Sequence, residues 1–202
     1  AHLNMPATLL FSDEYAKHPA TLSFKLPDAN WKVATQLQLQ ADGSYKAPDL
    51  QYLMDSPVEL SAFSHRSWKV ADQQSQATIH LALHHQGTER QLDSFTEKAK
   101  AVVAEQKKIF GEYPKFDYGQ YVFIADYLPY VDGDGIEHRN STILTDERSL
   151  KEANYAQIET LSHEFFHAWN VERLRPADLE PFDFQRANMS RHLWFAEGVT
   201  NY

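Results

Sequence analysis

The chain has 202 residues, a formal net charge of −9 and a hydrophobic share of 43%. That length supports one large domain or two small ones with real cores, and the acidic balance argues against a nucleic-acid or anionic-membrane surface. With no cysteine, neither a disulfide framework nor a thiolate metal site is possible, and no stretch approaches the roughly 20 apolar residues that a membrane helix needs.

Ala1-His2-Leu3-Asn4-Met5-Pro6 lacks the basic-then-apolar pattern of a signal peptide, so the expectation is a mature chain, a cytoplasmic one or a fragment. Up to about residue 87 the pattern is one of short strands and turns. Thr21–Leu26 and Trp31–Leu39 alternate polar and apolar residues, as half-buried strands do. Ala41-Asp42-Gly43-Ser44 then makes a turn. Trp68–Val70 and Ala77–Leu83 are further strand candidates, and nothing in this half has catalytic spacing.

From Leu92 to Phe110 the period becomes helical. Phe95, Ala99, Val102, Val103, Gln106 and Phe110 recur at three- and four-residue steps, and Gly111 closes the helix. Gln120–Ala125 is a predicted strand, Asp132–Gly135 a loop, and Ser141–Thr145 a second strand. A helix is predicted over about 150–170, a proline-marked loop over 175–188, and a last helix from near Ser190. The pattern predicts an α+β chain, with a β-rich domain over 1–87 and a second domain over 88–202.

His163-Glu164-Phe165-Phe166-His167 carries the chemistry. Two histidines four apart lie one turn apart on a helix face, and a neutral imidazole nitrogen suits zinc. At about 100° per residue, His163, Glu164 and His167 fall within an arc of about 100°. Ile158, Leu161, Phe165, Ala168 and Trp169 cluster on the opposite side, near 140–240° by the same rule. One face is left for a metal and the other for core. A glutamate beside the first histidine is placed to take a proton from an attacking water.

A catalytic zinc usually has three protein ligands and an open position. Arg173 stands where a metzincin would carry its third histidine, six residues after His167. Glu197, in the apolar run Leu193-Trp194-Phe195-Ala196-Glu197, supplies a carboxylate that would be costly to leave unpaired there. The bland alternative is a surface glutamate or an ion pair with Arg191. Asn201, one turn beyond, could orient a ligating histidine. His80, His84 and His85 lie in a strand pattern; His84 and His85 point to opposite faces and suggest no shared metal site.

These segments together resemble a known family. His163–Val171, followed by Arg173-Leu174-Arg175-Pro176, is similar to the glycyl aminopeptidase family, whose larger members carry a PDZ domain. Leu193–Tyr202 resembles that family's third-ligand helix and, more loosely, the matching segment of the aminopeptidase N family, which uses a shorter spacer than the 29 residues between His167 and Glu197. Gly135–Ser141 resembles its Gly-Gly-Leu-Glu-His-Arg-Asn-Ser segment, with Asp134 replacing the first glycine, and Asp55-Ser56-Pro57-Val58-Glu59 resembles its Asp-Ser-Pro-Val-Glu segment.

The resemblance implies a β-rich N-terminal domain followed by a thermolysin-like, gluzincin catalytic domain that is truncated after the third-ligand helix. It implies one zinc per chain on His163, His167 and Glu197, with Glu164 as general base. Gly135 and Glu137 would bind substrate, the Glu137 carboxylate pairing with a free amino terminus. The expected reaction is removal of a small first residue, glycine or alanine, from a peptide. Close alternatives are a zinc endopeptidase and a non-catalytic, zinc-stabilised peptide-binding scaffold. The same resemblance places the oxyanion-stabilising tyrosine beyond residue 202; the sequence leaves the compartment open, with the bacterial cytoplasm or periplasm as the expectation.

Overall fold

The computed structural model describes residues 1–201; Tyr202, the last residue of the segment likened to a third-ligand helix, lies outside the described residues. The first third is built from short elements: β1 (His2–Leu3), α1 (Met5–Thr8), β2 (Ala20–Leu22), β3 (Lys32–Thr35), β4 (Gln38–Leu39), β5 (Tyr45–Ala47), α2 (Leu50–Met54) and β6 (Val58–Ser61). They form two three-stranded antiparallel sheets, ordered β1-β6-β3 and β2-β5-β4. Met5, Leu37, Ala47, Tyr52, Leu53, Met54 and Val58 pack between them. Gly43 takes a left-handed φ of 84° in the turn at 41–44, which an L side chain would strain.

The rest is organised on a five-stranded sheet. Its strands are β7 (Ser64–Ala71), β8 (Gln76–His85), β9 (Gln120–Tyr127), β10 (Asp134–His138) and β11 (Ser141–Asp146), in the order β10-β11-β9-β8-β7. The three central strands are parallel and the two edges antiparallel. Parallel neighbours need a crossover, and α3 (Glu89–Phe110) provides it between β8 and β9. Thr88 and Gln91 cap its start reciprocally, and Gly111, at φ 83°, ends it.

Alternation then decides which side each strand residue serves. Ile79, Leu81, Leu83, Tyr121, Phe123 and Ala125 face α3 and the helix α4 (Gln157–Phe166), joining Leu92, Phe95, Leu161, Phe165 and Trp169 in the main core. Ala82, Val122, Ile124 and Ile143 face the other way, onto Ala34 and Phe63 of the N-terminal part. The last element is α5 (Leu193–Thr200).

Three sequence expectations differ from the structure. A division at 87/88 would fall between β8 and its crossover helix, and would split a sheet that draws strands from both sides of it. The residues at 134–135, expected in a loop, begin an edge strand: Asp134 pairs with Thr145 and His138 with Ser141, closing a hairpin through Arg139 and Asn140. The helix expected over 150–170 is regular only over Gln157–Phe166. Asn154 and Tyr155 adopt left-handed φ angles of 48° and 63°, which end the preceding turns before the helix starts.

Candidate metal centre

α4 presents its two faces as the spacing requires. Phe165 and Leu161 are fully buried in the core, while His163 and Glu164 turn toward β10 and α5. His167 closes the helix and is almost wholly buried. Across from them, α5 brings up Glu197. His163 Nε2 lies 3.1 Å from His167 Nε2 and 3.1 Å from Glu197 Oε2, and His167 Nε2 lies 3.7 Å from Glu197 Oε1. Three residues separated by up to 34 positions thus aim one donor atom each at a common point.

The partners of the other ring nitrogens settle the tautomers. His167 Nδ1 is 2.7 Å from the backbone carbonyl of Asn170, which can only accept, so Nδ1 carries the proton. His163 Nδ1 is 3.1 Å from Asn201 Oδ1, again an acceptor. In the neutral imidazoles both Nε2 atoms then offer lone pairs toward one another and a carboxylate. Such a set is mutually repulsive alone and suits a cation; two imidazole nitrogens and a carboxylate oxygen are a common donor set for zinc. The Asn170 side chain donates to the Ala196 carbonyl at 3.2 Å and so ties α5 to the end of α4.

Gly135 and Glu137 lie two apart on β10 and share the face toward α4. A Cβ on Gly135 would collide with Glu164 Oε1, and would come within 2.7 Å of Thr160 Cγ2. The bare backbone there lets Glu164 lie against the strand. Carboxylate oxygens of Glu137 and Glu164 and a nitrogen of His167 lie within 4.8 Å of one another. Burial, and after it the charges of Glu137, Glu197 and Asp134, pushes the Glu164 carboxyl up to about 8.

A cavity of about 650 Å³ opens on the other side of Glu137. Its walls include Tyr52, Asp55, Glu137, Glu172, Arg175 and Phe182, and none of His163, His167 and Glu197. Burial, then the charge of Asp55, raises the Glu172 carboxyl, and Arg175 opposes the shift.

The sequence did not single out the residues that hold this wall in place. Asp55 accepts hydrogen bonds from Arg139 N at 3.0 Å and His138 Nδ1 at 2.9 Å, so the two segments around Asp55 and Glu137 meet directly. Arg173, noted above as standing at a metzincin's third-histidine position and in the family-like Arg173–Pro176 segment, donates to the carbonyls of Ala168, Arg139 and Lys115 and to Asn140 Oδ1. Gln36 Oε1 accepts from Asn140 N and Ser141 Oγ. These are contacts between distant positions and leave no local periodicity to find.

Residues 1–62 match the family model for the peptidase M61 N-terminal domain, and residues 156–202 match the model for M61 glycyl aminopeptidase. Together the two matches span more than half of the chain. No curated protein matches. Among solved structures, an aminopeptidase N family protein from Idiomarina loihiensis is 23% identical with a TM-score of 0.74, over 98% of this chain and 35% of that one. The chain thus spans about a third of that protein's length, and the likeness supports a shared mixed α and β fold. A variant of a two-domain M1 zinc metallopeptidase, solved with bound L-arginine, aligns at 13% identity and a TM-score of 0.46 over 75% of this chain and 33% of its own.

Proposed function

Since this chain belongs to the M61 glycyl aminopeptidase family, we propose that it forms the zinc-binding part of an aminopeptidase that removes a small first residue, glycine or alanine, from peptides. The observation that carries this reading is the convergence of His163 Nε2, His167 Nε2 and the Glu197 carboxylate within 4.8 Å of one another, beside Glu164. His163, His167 and Glu197 would hold one zinc ion per chain. The ion would supply Lewis-acid polarisation of the scissile carbonyl and acidify a water in the open position.

Glu164 is the base for that water. It lies against β10, and its raised pKa reflects burial beside other carboxylates. A dication nearby reverses that electrostatic setting and favours the ionised carboxylate that the first proton transfer needs. The same group then hands the proton to the leaving amine. Glu137, between this centre and the 650 Å³ cavity, would pair with the ammonium of the substrate's first residue. That contact fixes the distance from the amino terminus to the cleaved bond and makes the enzyme an exopeptidase.

Glu164→Gln tests the reading. The variant should keep the zinc content of the wild type by elemental analysis, while hydrolysis of alanyl and glycyl peptides falls by about 10²–10⁴-fold. Unchanged turnover would overturn the proposed base. Acetylating the peptide's amino group should abolish cleavage by the wild type. Equal cleavage of the blocked peptide would instead identify an endopeptidase.

A further inference from the structure

The face of the five-stranded sheet that packs on the N-terminal part is apolar along most of its length. On β8 and β9 it runs through Ala82, Val122 and Ile124. Two residues further on, the same face ends in His84 and Asp126, which are register partners on the parallel pair. Glu59, from the middle strand of the opposing β1-β6-β3 sheet, points at them. His84 Nδ1 lies 3.3 Å from Asp126 Oδ1 and 3.6 Å from Glu59 Oε1, and one donor atom from each residue fits within 4.8 Å of the others.

The burial is what makes this cluster unusual. Glu59 is 0% exposed and Asp126 9%, yet Glu59 Oε2 has no hydrogen-bond partner and Asp126 Oδ1 has only His84 Nδ1 near it, at 3.3 Å. The amino group of Ala1 approaches only Glu59 Oε1, at 3.4 Å, and the other oxygen stays bare. Buried carboxylates are normally paired or bound to a metal, because desolvating an unpaired one is costly. A neutral His84 offers at most one Nδ1–H to the pair. With its Nδ1 lone pair directed inward instead, it completes a set of one nitrogen and two carboxylate oxygens.

We propose that Glu59, His84 and Asp126 form a second divalent-cation site, for zinc or a similar borderline ion, that fastens the N-terminal sheet to the five-stranded sheet. It shares no residue with the centre at His163, His167 and Glu197. An imidazole nitrogen with two carboxylates suits such an ion, and the ion would supply the charge that the two buried carboxylates lack. Its role is structural, because ligands from β6, β8 and β9 are brought together only when the two sheets dock.

The test separates this site from the first. A chain carrying both His163→Ala and Glu197→Ala, stripped with chelator and returned to zinc, should retain about one zinc per chain, and its melting temperature should rise by several degrees with the metal. Adding His84→Ala, or in a parallel variant Asp126→Asn, should remove both the zinc and the shift. In the otherwise wild-type chain, His84→Ala should lower the zinc content from two to one and leave hydrolysis in place. No zinc in the chain carrying only the first two substitutions would overturn the proposal and leave a protonated His84 as the neutralising cation. Unchanged zinc content on adding His84→Ala would overturn it as well. Neither result bears on the aminopeptidase reading, which is tested separately by Glu164→Gln and by the amino-blocked peptide.

Discussion

Gly135 shows how one missing side chain sets the position of the proposed general base, Glu164. It sits in an extended edge strand, where any residue can adopt the backbone and glycine is usually a weakness. Its use is the space above it, filled by the Glu164 carboxylate and by Thr160 Cγ2. Gly135→Ala should therefore leave the strand paired and the protein close to wild-type stability, while displacing Glu164 from the proposed water. A misplacement of about 1 Å can cost on the order of 10²-fold in rate, so kcat should fall by about that factor with KM and zinc content little changed. Full kcat in the alanine variant would show that Glu164 needs no such seat. The metal-facing residues were legible because helical spacing alone puts His163, Glu164 and His167 on one side. The use of Gly135 was not legible, since the composition of Asp132–Gly135 reads as a loop and the contact comes from a helix nearly 30 positions away.

At the scale of elements, the proposed ligands on α4 lie beside an irregular helix end that is tethered by Arg173. Beyond Phe166 the backbone bonds become mixed, with Val171 N reaching His167 O and Glu172 N the same carbonyl. Arg173 closes this stretch. Its guanidinium donates to the Ala168 carbonyl at 2.7 Å and to Asn140 Oδ1 at 2.9 Å, and lies over the Phe116 ring. A planar fork can serve such divergent acceptors, whereas an ammonium on a single stem cannot. Arg173→Ala should destabilise by about 2–4 kcal/mol, since buried acceptors lose a charged donor. Arg173→Lys should recover less than half of that, read as the midpoint of urea unfolding. A lysine variant matching wild type would mean that charge alone suffices. The periodic pattern made α3 and the metal-bearing turns of α4 predictable. The left-handed Asn154 and Tyr155 that set where α4 begins carry no glycine to announce them.

At the scale of the whole molecule, one buried amide is a central link between the N-terminal part and the strands beside the site. Gln36 is 0% exposed. Its Nε2 donates to Asp55 O at 2.7 Å and Ser56 Oγ at 3.0 Å, and its Oε1 accepts from Asn140 N and Ser141 Oγ, both at 2.8 Å. All four of its hydrogen-bonding positions are used, so a single side chain joins the start of β11 to the segment around Asp55. That segment in turn accepts from Arg139 N and His138 Nδ1. The hairpin carrying Gly135 and Glu137 is thereby registered against the wall of the 650 Å³ cavity. Alternating hydrophobicity predicts that such strands exist, yet it cannot predict which glutamine will bridge two sheets. Gln36→Ala leaves the buried Asn140 N and Ser141 Oγ to find other partners, at about 1–3 kcal/mol for each group left unpaired. Stability should fall by about 2–4 kcal/mol on that basis. Gln36→Glu should be no better, because it loses both donors and buries a charge. The functional consequence separates a joint from a mere core contact: at temperatures where the variant is still folded, KM for short unblocked peptides should rise more than kcat falls, because the displaced hairpin carries Glu137 and not the zinc ligands. A loss of stability with unchanged KM would show that the hairpin keeps its place without the bridge.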